Sequence, residues 1–211
     1  MDAMAHPAGA SGLLNLPNLL TMLRLVLVVP FGIALLWEDG QNTTARFVAT
    51  VIFIVASLTD YVDGYLARKQ DLVTSFGKIA DPIADKLLTG VALVGLSLLG
   101  ELPWWVTIVI LGREIAVTLL RFWVINSGVM AASRGGKWKT ATQIAAIVLY
   151  LLPLTGAWDL VARVTMGIAV VLTVVTGVDY AFRAVALRRA DASRSGGGRS
   201  GGSGGSGVSA S

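Results

Sequence analysis

The chain has 211 residues, 55% hydrophobic and 14% charged, with a formal net charge of +4 and a mean hydropathy of +0.71. An ordinary soluble domain carries about 25% charged residues, so the balance points away from one and toward a membrane protein. There is no cysteine, which excludes a disulfide framework and a thiolate metal centre.

Residues 1–14 read as a polar N-terminal tail. Its start, MDAMAHPAGASG, has no basic stretch before an apolar core, which argues against a cleaved secretion signal. A bilayer-spanning helix needs about 20 mostly apolar residues. Six segments qualify: 19–37, 46–66, 82–100, 104–125, 141–157 and 160–182. None alternates as a membrane β-strand would, and backbone groups in lipid must bond within their own segment. The expected fold class is therefore an all-α membrane protein with six transmembrane helices, one domain over 15–190. No solenoid period or inverted repeat is visible. Residues 191–211 are Gly/Ser-rich and are expected to form a flexible coil.

Lys and Arg set the orientation. Arg68, Lys69, Lys78, Arg134, Lys137 and Lys139 lie between helices 2 and 3 or 4 and 5, and Arg183, Arg188, Arg189, Arg194 and Arg199 follow helix 6. The alternate connections carry only Arg46 and Arg163, beside Glu38, Asp39, Glu101 and Asp159. Both termini and the 60–85 region are thus expected on the cytoplasmic side. Trp37, Trp104, Trp105 and Trp158 mark the opposite interface.

The 60–85 region, DYVDGYLARKQDLVTSFGKIADPIAD, holds five aspartates. With residues 60–67 as the end of helix 2, Asp60, Asp63, Gly64 and Ala67 share one helical stripe. Asp81 and Asp85 share another at the start of helix 3, after a linker from Arg68 to Ala80. Facing stripes put four carboxylates around one point, where they repel unless a cation neutralises them. Oxygen ligands select hard cations such as Mg²⁺, Mn²⁺ or Ca²⁺, and a Mg²⁺ site leaves room for substrate phosphates. A phosphate or pyrophosphate compound at the membrane face is the expected substrate. Taken singly, each aspartate has a plainer reading. Asp71 suits a polar loop, and Asp81 before Pro82 suits a helix N-cap. Two face-matched pairs beside a membrane boundary favour function.

The spacing D-x2-D-G-x2-A-R-x8-G-x3-D-x3-D, formed by Asp60, Asp63, Gly64, Ala67, Arg68, Gly77, Asp81 and Asp85, resembles the signature of the CDP-alcohol phosphotransferases at all eight positions. The resemblance spans about residues 15–187. It implies an integral enzyme of the bacterial inner membrane that moves a phosphatidyl group from a CDP-linked lipid to an alcohol and releases CMP. It implies Asp60, Asp63, Asp81 and Asp85 as ligands of two Mg²⁺ or Mn²⁺ ions, with Asp85 also the general base. Asp60, Asp63, Gly64, Ala67, Arg68 and Gly77 correspond to CDP-binding positions. The family also implies a homodimer, and no nucleic-acid partner is expected.

The acceptor is read from the other basic residues. Arg113 lies deep in an apolar run, and Arg121 is two turns on along nearly the same face. SRGGKWKTATQ adds Arg134, Lys137 and Lys139. Such a cluster suits a phosphate-bearing acceptor, although the loop cations equally suit lipid headgroups. NLPNLLTMLR, REIAVTLLR and GKWKTATQ resemble the phosphatidylglycerophosphate synthase branch, which joins CDP-diacylglycerol to sn-glycerol 3-phosphate. The resemblance assigns Arg113, Arg121, Lys137 and Lys139 to the acceptor phosphate. Asn18, Thr21 and Arg24 either border the nucleotide site or form a polar helix start with an interfacial arginine. Phosphatidylinositol-phosphate synthase and cardiolipin synthase are the sister alternatives. A transporter would also hold buried acids, but it predicts broken helices and a midplane site.

Overall fold

The computed structural model describes residues 16–70, 75–124 and 134–197. Among the described residues all regular structure is helical: α1 (Leu16–Leu36), α2 (Thr43–Gln70), α3 (Ser75–Leu98), α4 (Trp104–Val124), α5 (Arg134–Leu151) and α6 (Ala157–Gly197). A short 3-10 turn, Trp37–Gly40, follows α1. Asn42 caps α2, its Oδ1 accepting from the Ala45 amide at 2.9 Å.

Each apolar segment of the sequence is one helix, but several edges differ from expectation. α3 starts at Ser75, so Gly77, Asp81 and Pro82 lie inside it. The expected 68–80 linker shrinks to 71–74, which lie outside the described residues. Asp81 is in the second turn of α3, so the N-cap reading fails. Pro82 and, in α1, Pro30 occupy helix interiors, where each removes one backbone hydrogen bond. Bundled membrane helices tolerate this when neighbours re-satisfy the freed groups. α5 takes in Arg134, Gly135 and Gly136 and stops at Leu151, ahead of the helix-breaking Pro153. α6 runs to Gly197, into the stretch expected as coil. Residues 1–15 and 198–211 lie outside the described residues.

α1 packs on both α2 and α3, and α6 packs on both α4 and α5. Contacts of α2 with α5, and of α3 with α4 and α5, join the two groups. The shared core is aliphatic and aromatic, with Phe31, Phe53, Leu88, Leu96, Ile110 and Ile147 buried. The Phe31 and Phe53 rings meet at 5.6 Å between centroids. Gly95 lets α3 approach α1 closely, since a Cβ there would sit 2.5 Å from Leu35 Cδ2.

The outside is as apolar as the inside. Val26, Val29 and Ile33 on α1, Val51, Val55 and Leu58 on α2, and a long valine-rich stripe on α6 are all exposed. Water-soluble monomers do not present apolar surface on this scale. Leu19–Gly40 and Ala157–Arg188 are each long and apolar enough to cross a bilayer. The apolar parts of α2 and α3 are Thr43–Thr59 and Lys86–Leu98. They stop at Asp60 and resume after Asp85, so the aspartate segment begins where the greasy part of the hairpin ends.

Candidate active site

α2 runs unbroken through Asp60 and Asp63, and α3 through Asp81 and Asp85. The two helices touch and are joined by residues 71–74, which makes them consecutive antiparallel neighbours. Heights along the hairpin follow from the helical rise. Asp60 lies ten residues before Gln70 and Asp85 ten after Ser75, each about 15 Å from the turn. Asp63 and Asp81 lie seven and six residues from the same ends, about 10 Å from the turn. The four backbone positions thus fall at two matched levels. The side chains of Asp60, Asp63, Gly64, Ala67, Arg68, Gly77, Asp81 and Asp85 lie outside the described residues.

The next level of the bundle is a knot of charge centred on Glu114 of α4. Lys139 of α5 forms an ion pair with Glu114 Oε1. Arg113 Nη1 donates to the same oxygen at 3.3 Å. Lys86 of α3 donates to the Thr118 hydroxyl and, at 3.4 Å, to the Glu114 carbonyl. Three cations therefore surround one carboxylate among the described residues.

α6 holds Arg113 from the other side. Its Nε donates to the Thr173 carbonyl at 3.2 Å, and its Nη2 to the Thr176 hydroxyl at 3.0 Å. The side chain passes directly over Gly177, where a Cβ would lie 2.9 Å from Arg113 Cγ. Real Cβ atoms do not come that close, so only glycine leaves the slot open.

Of the basic residues expected at the acceptor, Arg113 and Lys139 are brought together. Arg121 falls in the last turn of α4 and Lys137 in the first turn of α5, with side chains outside the described residues. Asn18 is on α1, its side chain likewise outside. Thr21 and Arg24 are fully buried in the bundle, so Arg24 is not a lipid-facing interfacial arginine. Lys86, Glu114 and Gln143 were not singled out from the sequence. The signal that flagged Arg113, an ionisable group inside an apolar helix, applies equally to Lys86 and Glu114.

Residues 14–175 match the family model described as CDP-alcohol phosphatidyltransferase. The chain belongs to that family. Among its relatives, a protein of Mycobacterium tuberculosis named "Probable phosphatidylglycerophosphate synthase" is 53% identical over 178 residues, covering 84% of this chain and 85% of the relative. A Bacillus subtilis protein named "CDP-diacylglycerol--glycerol-3-phosphate 3-phosphatidyltransferase" is 43% identical over 179 residues, covering 79% and 93%. A Rickettsia typhi protein of the same name is 40% identical over 174 residues, covering 79% and 94%. The matched span runs from just before α1 into α6, so the aspartate hairpin and the Glu114 knot both lie within the family domain.

Proposed function

We propose that this chain is a CDP-diacylglycerol–glycerol-3-phosphate 3-phosphatidyltransferase, making phosphatidylglycerophosphate and CMP. The observation that carries the reading is the eight-position motif laid along the α2–α3 hairpin, in a chain with relatives from Bacillus subtilis and Rickettsia typhi that bear that name. Asp60, Asp63, Asp81 and Asp85 hold two divalent ions, Mg²⁺ or Mn²⁺. Their donor set fits: carboxylate oxygens only, on two touching helices, with no cysteine in the chain. Bound there, the ions supply charge neutralisation of the diphosphate and of the departing CMP.

The chain's own residues do the rest. Gly64, Ala67, Arg68 and Gly77 border the CDP group, with Asn18, Thr21 and Arg24 at its edge. Arg113, Arg121, Lys137 and Lys139 draw in the acceptor phosphate and fix its orientation. Asp85 takes the proton of the acceptor hydroxyl. The freed oxygen attacks the lipid-bearing phosphorus, and the bond from that phosphorus to CMP breaks.

The six helices all cross the bacterial inner membrane, with both termini and the aspartate hairpin cytoplasmic, and 15–190 forms the catalytic domain. The Lys/Arg asymmetry supports that orientation, and so do Trp37, Trp104, Trp105 and Trp158, all exposed near the opposite end. The active form is a homodimer, an expectation carried by the family alone. The test is CMP release from CDP-diacylglycerol and Mg²⁺ with glycerol 3-phosphate, inositol phosphate or phosphatidylglycerol as acceptor. Glycerol 3-phosphate should be preferred, and Asp85→Asn should stop turnover while CDP-lipid still binds. Preference for another acceptor would reassign the branch.

A further inference from the structure

A cavity of about 360 Å³ lies between α3, α4 and α5. Aliphatic side chains such as Ile83 and Ile144 form much of its wall, and Lys86, Glu114, Lys139 and Gln143 supply polar groups. On α3 its lining starts at Ile83 and Lys86, the positions bracketing residue 85. Lys86, Lys139 and Glu114 are engaged with one another or with Thr118. Gln143 is different. It is 5% exposed, and its Oε1 has no hydrogen-bond partner among the described residues. Folded proteins leave few buried amide oxygens without a donor, and a cavity at the same side chain gives this one a use. A hydroxyl on a bound ligand is one donor that would satisfy it.

The acceptor proposed above carries two hydroxyls and a phosphate. One hydroxyl is the nucleophile, so the other is left to be recognised. We infer that Gln143 reads the second hydroxyl of the acceptor, its Oε1 accepting that hydrogen bond while Lys86 and Lys139 hold the phosphate at the same cavity. The inference rests on the acceptor being glycerol phosphate. Sites built to bond a substrate hydroxyl reject the analogue that lacks it, because their own polar group is then stranded. Gln143 thereby makes the pocket selective for a polyol phosphate over a simple hydroxyalkyl phosphate.

The test compares sn-glycerol 3-phosphate with 3-hydroxypropyl phosphate, which keeps the phosphate and the primary hydroxyl but lacks the secondary one. CMP release by the full-length enzyme in detergent gives kcat/KM for each. Wild type should favour glycerol phosphate by at least about tenfold. Gln143→Leu, or the length-matched Gln143→Met, should lose about that factor with glycerol phosphate and change little with the analogue. Gln143→Glu keeps an acceptor oxygen and should keep the preference. Equal losses with both acceptors, or no preference in the wild type, would overturn the assignment of Gln143 alone. Wild type that releases no CMP with either acceptor overturns the functional reading, and this inference with it.

Discussion

Two arginines enter the bundle from different places, and they are satisfied in different ways. Arg46, in the first turn of α2, bonds the Glu101 carboxylate at 2.7 Å, the Tyr150 carbonyl at 2.6 Å and the Leu151 carbonyl at 3.1 Å. It ties the start of α2 to the α3–α4 connection and to the end of α5. A cavity of about 890 Å³ lies beside it, far larger than the one at Gln143. Its charged groups cancel, however: Arg46 and Arg163 stand against Glu101 and Asp159. The Arg46 set of bonds staples the loop end of the bundle, although Arg46 Nη1 is buried with no hydrogen-bond partner among the described residues. Arg113 sits instead in the Glu114 knot, next along the helices from the aspartates. Nearness to the aspartate hairpin, rather than cavity size, is the ground for proposing the Glu114 knot as the binding region.

The first way to break that contrast is to remove Arg46. Arg46→Met leaves the Tyr150 and Leu151 carbonyls without this donor, and stability should fall by about 3 kcal/mol. Thermal unfolding in detergent reads the loss. The KM for glycerol phosphate should hold in the protein that remains folded, and a large rise in KM would give the loop end a part in binding. The mirror experiment is Arg113→Ala. Here kcat/KM for glycerol phosphate should drop about a hundredfold, with little change in the unfolding midpoint. A variant that unfolds early but keeps its acceptor affinity would make Arg113 a second staple.

The helices were legible because each apolar run is long and uninterrupted, and α2 and α3 do carry the aspartate positions as helical backbone. The edges were less so. Pro82 looked like the start of α3, since proline suits a helix's first turn, yet α3 begins at Ser75 and carries the proline inside. Bundle packing overrides the local preference there. Within the knot, Arg113 announced itself by depth. Glu114 and Lys86 carry the same signal, an ionisable group in an apolar helix, but were passed over. Gln143 gave no signal, because an uncharged amide in a helix is unremarkable until the cavity beside it is seen. The Arg113 slot was hidden for a similar reason: Gly177 matters only through what α4 lays across it.

That slot offers a finer cut. Gly177→Ala places a methyl where Arg113 Cγ runs, 2.9 Å away, so the guanidinium must leave Thr176. The KM for glycerol phosphate should rise about tenfold, near 1.4 kcal/mol, with kcat less affected. Thr176→Val should move KM the same way, and Thr176→Ser, which keeps the hydroxyl, should not. Equal falls in kcat for the two threonine variants would mean α6 merely packs.

The smallest effect belongs to Glu101. Glu101→Gln removes the charge facing Arg46 but keeps an oxygen that can accept its hydrogen bond. Arg46 also retains both carbonyls. The Glu101 side chain is 34% exposed, so water already screens the pair. The stability loss should stay under about 1 kcal/mol. Most of what Arg46 contributes therefore comes from its grip on the α5 carbonyls, not from its ion pair. A loss as large as that of Arg46→Met would reverse this, making the loop end depend on charge as much as the Glu114 knot does.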